Sequence, residues 1–551
     1  MKKATKILAL LVAVVMVAGV LCGCGGSKKA REAGKYTYWS TVDGAVAQTQ
    51  SGYADLLMYQ EMSKRTGIEV NFIHPTAGST GSEAFQILLT SADMPDMIEY
   101  GWKSYPGGAD AAINNKVIIS LNNYLKDYAP NYYEYMEGSK NEANNGLYKA
   151  QAMTQGGNYY GFGNLSIGTY RTFGGLVLRK DLLDKWGLDV PVTIDDWTEV
   201  FATAKSNGIK YPLTGQSNLF AIGGNDLFNG AWGVGKLYHL EGDKVVLSVD
   251  TPEYKEYVKT MAGWMKKGYI DPDYITNGSD VMLANMTSGK SIATFCYVGS
   301  GMGKMIPAME NSTEFPDYDL VACPYPVLNE GEQNGFQYVA AEAADASIAI
   351  STSCGLKDEE RYKEAIKWCD YLYSEEGKEL KIFGVEGKTF TKTEKAEVGE
   401  DGEKYTYTYT DVIFDREKQE SIGAHSVEAA LYHFMRPANA PGLNQHSDYL
   451  YGFYPYESQK HAIVLWNENV ELARKCEYPA VTYTNEETAR NNELTSKASD
   501  TLNAAISNII LGKADISTYD AAVAKAKKDG YDEMLKIRQD AYDRYVSKTS
   551  K

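Results

Sequence analysis

The sequence predicts an α/β fold with two large lobes, and both the chain length and the alternation of strands with helices support this prediction. The chain has 551 residues, several times the length of a typical domain, so one hydrophobic core is not expected to serve all of it. Strand-like segments at 35–40, 68–73 and 94–100 alternate with helix-like segments at 54–66 and 84–91. This order is typical of a parallel sheet wrapped by helices.

A comparable unit begins a second lobe near residue 160. A strand-like run at 176–178 precedes a helix-like segment at 181–186. Helical periodicity at 501–510 and 521–545 predicts a helical C-terminus. Two lobes with helices at the end of the chain therefore account for most of the sequence.

One insertion is marked by its composition. The stretch 385–419 is polar, rich in Lys and Tyr, and contains Tyr405, Tyr407 and Tyr409 in alternation. A period of two is typical of strands, so we expect an exposed β-hairpin here. The expected organisation is then 35–155 with 318–380 for the first lobe, 385–419 for the hairpin, and 156–317 with 420–551 for the second lobe and its C-terminal helices.

The N-terminus has the pattern of a secretion signal. Lysines at positions 2, 3 and 6 precede an apolar run at 7–20. A membrane-spanning helix needs roughly 20 apolar residues, and this run is shorter, so cleavage is favoured. An uncleaved membrane anchor and plain secretion remain as alternatives.

The end of this signal resembles a bacterial lipobox. Leu21-Cys22-Gly23-Cys24 has an apolar residue first, a small residue before the cut and a cysteine to receive a diacylglyceryl group. Cys22 fits less well as the acceptor, because Leu21 would then lie where a small side chain is required. We expect a signal peptide at 1–23, a lipidated Cys24 and a flexible tether at 24–34, which place the protein on the extracellular face of the cytoplasmic membrane.

The net charge of the chain disfavours binding partners that are themselves negatively charged. The chain carries −17 at pH 7, and removal of the leader lysines makes it more acidic. Nucleic acids and anionic lipid surfaces bind basic patches, so neither is an expected partner. Contact with the membrane is expected through the lipid anchor.

The cysteines and histidines show no metal-ligand spacing. The cysteines after residue 24 include no C-x-x-C pair, and a core of this size does not need disulfides, so buried free thiols are expected and their pairing stays open. The six histidines are scattered, so neither a metal site nor a cofactor is expected. No EF-hand loop is present, although the acidic surface leaves room for a structural calcium ion.

Catalytic motifs are also absent from the sequence. It contains no G-x-S-x-G elbow, no H-E-x-x-H, no P-loop and no dinucleotide fingerprint, so no catalytic residue is expected and a non-enzyme is favoured. A surface hydrolase of glycans remains an alternative, because 72 acidic residues will include carboxylate pairs with suitable separation. A structural or adhesive surface protein would fit the anchor but not the two-lobed pattern.

Eight segments, taken in their order and spacing, carry a family likeness. They are 91–98, 178–188, 251–254, 268–272, 285–293, 362–377, 384–387 and 528–545. Together they resemble the family 1 extracellular solute-binding proteins, which include maltose-binding protein. The likeness covers nearly the whole mature chain and is strongest to the large lipoprotein branch of Gram-positive bacteria.

This resemblance implies a fold and a role. The fold would be the class II type of periplasmic binding protein, with two discontinuous α/β lobes, several hinge crossovers and a helical C-terminus. The protein would be a monomeric substrate-binding subunit of an ABC importer, and its partners would be the transmembrane subunits of the permease. Ligand capture would proceed by rotation of one lobe over the other.

Aromatic composition points to a carbohydrate ligand, most simply an oligosaccharide. Sugars have apolar C–H faces and hydroxyl rims, so they bind aromatic rings that are flanked by planar hydrogen-bonding groups, and the chain has 42 Tyr and 8 Trp. Strand ends that face the cleft are the expected positions. The candidate ligand-binding residues are Tyr38, Trp39, Tyr100, Trp102, Tyr170, Arg171, Gln216, Asn218, Asn225, Trp232 and Tyr297.

Other ligands stay open within the binding-protein class. A peptide is compatible with the same residues, and an acidic cleft would suit a polyamine or another cation. Asp96 is expected to cap the turn after Pro95 rather than to hold a sugar. Five tryptophans at helical spacing are expected in the core, namely Trp186, Trp197, Trp264, Trp368 and Trp466.

Overall fold

The computed structural model describes most of the chain from residue 34 onward. Expectations for the signal peptide, for Cys24, for nearly all of the tether, and for Asn218 and Asn225 lie outside the described residues. Within the described part, no helix is both long enough and apolar enough to cross a membrane. The described residues are 34–76, 79–91, 93–168, 170–217, 219–220, 228–235, 237–337, 339, 343–356, 358–396, 404–444 and 446–549.

Strands form two main sheets and two hairpins within this part of the chain. The strands are β1 (Lys35–Trp39), β2 (Glu69–Ile73), β3 (Met97–Gly101), β4 (Phe162–Ser166), β5 (Gly174–Arg179), β6 (Tyr238–Glu241), β7 (Lys244–Leu247), β8 (Ala293–Tyr297), β9 (Leu320–Ala322), β10 (Ala343–Ile350), β11 (Phe390–Glu394), β12 (Tyr405–Tyr409) and β13 (Gly442–Asn444).

Helices cover both lobes and form the C-terminal end. They are α1 (Leu57–Thr66), α2 (Gly81–Leu89), α3 (Gly108–Asn114), α4 (Leu125–Tyr128), α5 (Pro130–Met136), α6 (Ser139–Ala143), α7 (Leu147–Ala152), α8 (Lys180–Trp186), α9 (Ile194–Ser206), α10 (Pro252–Lys266), α11 (Ser279–Thr287), α12 (Gly303–Met309), α13 (Glu360–Asp370), α14 (Glu375–Ile382), α15 (Asp411–Phe414), α16 (Arg416–Ser421), α17 (Val427–Tyr432), α18 (Ser447–Phe453), α19 (Glu457–Asn467), α20 (Val470–Cys476), α21 (Asn485–Ile510), α22 (Tyr519–Ala526) and α23 (Asp532–Thr549).

The first lobe is built on a six-stranded sheet in the order β13-β4-β10-β3-β1-β2. Strand β1 lies parallel to both β2 and β3, whereas β10 is antiparallel to β3 and β4. Helices cover both faces of β1, so Tyr38 and Trp39 enter two different hydrophobic clusters although they are adjacent in sequence. Asp96 joins β1 to β3, because its carboxylate accepts hydrogen bonds from the backbone and the hydroxyl of Thr37.

The second lobe is built on a three-stranded antiparallel sheet in the order β8-β5-β9. Its core is aromatic: Trp197 and Trp264 are buried, and both pack edge-on against Phe228. Helix α9 covers this core and begins at a capping box in which Thr193 and Asp196 bind each other's backbone. Of the five tryptophans expected in the core, four are fully buried and Trp186 is partly buried.

The boundaries between the lobes differ from those expected. Strand β4 and strand β13 belong to the first sheet, although the sequence assigned both to the second lobe. Strand β9 pairs with β5 in the second sheet, although residues from 318 onward were assigned to the first lobe. The chain therefore passes from the first sheet to the second between β4 and β5, returns between β9 and β10, and enters the second lobe again after α18. Hydrogen bonds between strands that are distant in sequence determine to which sheet each strand belongs. The local periodicity of a segment carries no information on these pairings.

The hairpin has a buried face. Strands β11 and β12 pair antiparallel within the stretch 385–419. Tyr407 and Tyr409 are buried, and Tyr407 stacks on Phe383 with 4.3 Å between ring centroids. Alternation of tyrosines thus marks one face that packs against the protein, whereas the sequence was taken to indicate an exposed insertion.

Candidate ligand-binding cleft

A cleft of about 500 Å³ lies between the two sheets. Its first-lobe side is formed by the loop after β1, by α17 and by the segment that leads into β13. Its second-lobe side is formed by the residue before β5 and the turn that follows β8. The described lining residues are Asp43, Gly44, Ala45, Phe173, Tyr297, Val298, Gly299, Ser300, Glu428, Tyr432, Pro437, Ala438, Asn439, Asn444, Tyr449 and Tyr454.

Tyr297 presents an aromatic face from the second lobe. Its side chain ends β8 and is 37% exposed, which is unusual for a large ring in this chain. The facing residue on β5 is Gly174, where an added Cβ would lie 2.8 Å from the Tyr297 ring and 2.9 Å from Phe295. Glycine at this register position therefore allows the Tyr297 ring to lie close to the strand.

Asp43 is held in the first-lobe wall by a buried ion cluster. Arg436 donates from Nε to Oδ2 of Asp43 at 2.7 Å, and its other two nitrogens donate to the carboxylate of Glu99 at 2.9 and 3.0 Å. The Tyr53 hydroxyl donates to the same Oδ2 at 2.9 Å. Oδ1 of Asp43 accepts no hydrogen bond from the described residues, and the side chain is 29% exposed, so one carboxylate oxygen is available to a ligand.

Charge balance stabilises this cluster. Burial alone would raise the pKa of Glu99, but the Arg436 charge and its hydrogen bonds outweigh burial and lower that pKa. Arg436 is 2% exposed and also lies over the Tyr53 ring at 4.0 Å. One buried cation thus serves two carboxylates, and only the carboxylate of Asp43 reaches the cleft.

Lys381 fixes the segment that leads into β13. Its Nζ donates to the carbonyls of Ala438 and Leu443, both at 3.0 Å. Asn164 donates to the Ala438 carbonyl as well, at 2.7 Å. Burial, followed by the nearby charge of Arg436, lowers the pKa of Lys381 well below its usual range. The lysine therefore holds the backbone of the cleft wall in place and does not line the cleft itself.

Tyrosines and a second carboxylate complete the first-lobe side. The hydroxyls of Tyr432 and Tyr449 are 3.4 Å apart, and Tyr454 lies against the turn at Gly299. Glu428 is half-buried and makes no hydrogen bond or ion pair with the described residues. Burial raises the pKa of Glu428, and the charge of Lys304 opposes this rise. The cleft therefore offers rings, hydroxyls, amides and carboxylates to a ligand.

Of the residues expected to bind ligand, Tyr297 lines this cleft. Tyr38 and Trp102 are fully buried in the first lobe, and Trp39 is 4% exposed, so these three rings offer almost no surface to a ligand in this conformation. The Trp102 indole donates to the Ser347 carbonyl at 3.2 Å. The strand-end rule pointed to these rings, but helices cover both faces of the sheet at this place.

The remaining expected residues lie elsewhere in the described part of the chain. Tyr100 stacks on Phe85 in the first lobe. Tyr170 packs half-buried against the main core, and Arg171 is 3% exposed and donates to the Ser166 carbonyl. Gln216 is half-buried beside Met282 in the second lobe, and Trp232 borders a separate surface groove with Asp195 and Leu328.

Most residues in the cleft wall were not predicted from the sequence. Asp43 follows the first strand, so the strand-end rule could have identified it. The stretch 433–456 is rich in Tyr, Asn, Pro and Gly, which is a signal for a ligand-facing loop, but the sequence interpretation placed it in the second lobe without naming a site there. No group of three or more His, Cys, Asp or Glu side chains among the described residues is arranged to hold a metal ion.

Comparisons with known proteins agree with this architecture. Residues 46–379 match the family model described as bacterial extracellular solute-binding protein. Lipoprotein LipO of Bacillus subtilis (strain 168) is 23% identical over 69% of this chain and 72% of that protein. The polygalacturonan/rhamnogalacturonan-binding protein YtcQ of the same organism is 23% identical over 70% of this chain and 76% of that protein.

A solved structure shows the fold. The HMO-binding, ABC-transporter-associated solute-binding protein of Bifidobacterium longum infantis superposes with a TM-score of 0.71 at 16% identity, over 93% of this chain and 99% of that one. The expected class II fold of the periplasmic-binding-protein type is thereby confirmed. Because the family model spans more than half of the chain, the resemblance found in the sequence is confirmed too. The chain belongs to the bacterial extracellular solute-binding protein family.

Proposed function

We propose that the protein captures an oligosaccharide between its lobes outside the cell and delivers it to an ABC permease. The observation that carries this proposal is the cleft itself. The Tyr297 ring faces carboxylate, amide and hydroxyl groups of the opposite lobe across a cavity large enough for several sugar rings. The names of YtcQ and of the HMO-binding protein each include a glycan, and they support the same ligand class.

Capture needs no chemistry in this proposal. An open form binds the sugar mainly to the first-lobe wall around Asp43, and the second lobe then brings Tyr297 over it. A ligand shifts the equilibrium toward closure by its differential affinity for the closed form. A lipid on Cys24 would keep the monomeric receptor near its permease and raise the encounter rate. The likeness to LipO supports this anchor.

A cationic solute such as a polyamine is the second candidate. Two carboxylates, from Asp43 and Glu428, line the cleft, and a cation would pair with both. Neutral sugars also use carboxylates as hydrogen-bond acceptors and stack their C–H faces on rings such as Tyr297; a cation uses the same ring through its charge, but the names of the relatives favour a glycan. The sugar is therefore the first choice.

Thermal unfolding of the mature chain with oligosaccharides, peptides and polyamines tests the proposal. A ligand that binds only the folded state raises the melting temperature in a saturable way. Stabilisation by a glycan that is recovered intact would support the receptor. A cleaved glycan would establish a hydrolase, and stabilisation by polyamines or peptides alone would exclude the sugar.

A further inference from the structure

We infer that the cleft selects neutral oligosaccharides and rejects oligosaccharides built from uronic acids. This inference rests on the proposed function and specifies its substrate class. The relative YtcQ bears the name of a polygalacturonan/rhamnogalacturonan-binding protein, so an uncharged ligand would distinguish this chain from that relative.

The charges that face the cleft are negative. Asp43 and Glu428 both line the cavity from the first-lobe side. None of the described residues that line it is Lys, Arg or His. A uronate bound here would exchange water for a site whose described lining holds two carboxylates and no cation, and both desolvation and like-charge repulsion oppose that exchange.

The two cations beneath the wall do not offset this charge. Arg436 is 2% exposed and is shared between Asp43 and Glu99, so the cluster as a whole stays negative. Lys381 is 3% exposed, and its Nζ donates to two backbone carbonyls. Both side chains line a small cavity of about 10 Å³ behind Tyr432, which is too small for a sugar ring, so neither contacts a ligand in the cleft in this conformation.

Lys304 is a basic residue outside the described cleft lining whose charge acts on Glu428. It is exposed on α12 in the second lobe and interacts electrostatically with Glu428. It is not a lining residue, and water screens its charge more strongly than the charges inside the cavity. It therefore offsets part of the charge of Glu428 but provides no direct partner for a uronate.

A neutral sugar uses the same groups favourably. Its hydroxyls donate to Oδ1 of Asp43 and to Glu428, which are acceptors without a hydrogen bond from the described residues. Such hydrogen bonds to an ionised acceptor are among the stronger ones in proteins. The same two carboxylates of the cleft therefore bind hydroxyl donors and repel the carboxylate of a uronate.

Calorimetric titration of the mature chain with matched glycan pairs tests this inference. One pair is tri-galacturonate and its carboxyl-reduced form, which share linkage and length and differ in charge. A second pair is β-1,4-linked mannuronate trimers and mannotriose. Where either pair binds, we expect the neutral member to bind at least tenfold more tightly. Equal or tighter binding of a uronate would overturn the inference and leave the receptor function standing.

The wider glycan panel of the thermal unfolding experiment separates the two failures. If a neutral glycan outside the two pairs binds, its oxidised counterpart with uronate groups is titrated in the same way. If no glycan of either charge binds, the proposed function fails and the inference fails with it.

The variant Glu428→Gln removes one negative charge from the cleft. The Glu428 side chain has no hydrogen-bond partner in the described structure, so we expect the fold to stay intact. We expect the neutral-over-uronate ratio, which is the affinity for the neutral glycan divided by that for its uronate counterpart, to fall severalfold.

A matched control variant tests whether the removed charge must lie in the cleft to affect selectivity. Glu417→Gln removes the same charge from an exposed site on α16 outside the cleft. We expect it to leave the neutral-over-uronate ratio unchanged. If Glu417→Gln lowers this ratio as much as Glu428→Gln does, net protein charge rather than the cleft determines selectivity, and the inference is overturned.

Discussion

Arg436 donates a hydrogen bond from Nε to Oδ2 of Asp43 at 2.7 Å. The two residues are far apart in sequence, one after helix α17 and the other in the loop after β1. Their contact joins two parts of the first-lobe wall, and it orients the carboxylate of Asp43 toward the cleft. The same guanidinium binds Glu99, so the wall depends on one buried cation.

Replacing Arg436 by methionine should destabilise the protein strongly. Glu99 would be left buried without its partner, and removing one member of a buried ion pair costs about 3–5 kcal/mol of unfolding free energy. Urea unfolding measures this cost. Arg416→Met serves as the control, because Arg416 is 83% exposed, and its effect should stay within about 0.5 kcal/mol. Equal, small losses in both variants would contradict a structural role for the cluster.

Acid should weaken the contribution of Glu99. Its pKa is lowered in the folded state, so its contribution to stability is present above the unfolded pKa of about 4.3 and is lost as pH falls through the folded pKa. The unfolding free energies of wild type and Glu99→Gln should therefore differ most near neutral pH and converge in acid. Urea titrations at a series of pH values measure the difference. A gap that is constant with pH would refute the linkage.

Tyr297→Ala should weaken binding of a glycan ligand about tenfold without a large change in melting temperature. The ring is partly exposed, so its loss removes a ligand surface rather than core packing. A stacked aromatic is worth about 1.5 kcal/mol, which corresponds to about tenfold in affinity. Tyr211→Ala, in the second lobe outside the cleft lining, is the control and should bind normally. Unchanged affinity in Tyr297→Ala would remove this ring from the site.

Gly174→Ala should reproduce part of the Tyr297 effect. The added Cβ would lie 2.8 Å from the Tyr297 ring and displace it. Because both changes act through one side chain, the double variant should bind no more weakly than Tyr297→Ala alone. Calorimetry on the four proteins gives the coupling energy. Fully additive losses would show that Gly174 acts independently of the ring. Gly263→Ala, whose Cβ meets no atom within 4 Å, is the control.

Thiol labelling should distinguish one cysteine from the other four in the chain from residue 25. Cys296, Cys323, Cys354 and Cys369 are buried free thiols, and burial raises the pKa of Cys296 to about 12. Cys476 is partly exposed. A reagent that alkylates cysteine thiolates at mild pH should modify Cys476 first and the other four only after the protein unfolds. Mass spectrometry identifies the modified residue. Rapid native labelling of a buried thiol would contradict the packing.

The sequence by itself determined the α/β class, the two lobes, the segment that forms a hairpin and the tryptophan-rich cores. These properties follow from local periodicity and residue type, which report whether a segment forms a helix or strand and whether it is buried. The family resemblance extended this to the fold and the receptor role. The lipid anchor, the permease and the monomeric state remain predictions.

Tertiary structure alone decided which residues form the cleft. Hydrogen bonds between distant strands place β4 and β13 in the first sheet, and this brings the stretch around Arg436 and Asn444 beside the loop after β1. Trp102 lies at a strand end in sequence, yet helices α2 and α3 pack over it and its indole donates to the Ser347 carbonyl of β10, so the ring is buried. Sequence pattern encodes the propensities of a segment, whereas the choice of its distant neighbours depends on pairing energies that only the folded chain combines.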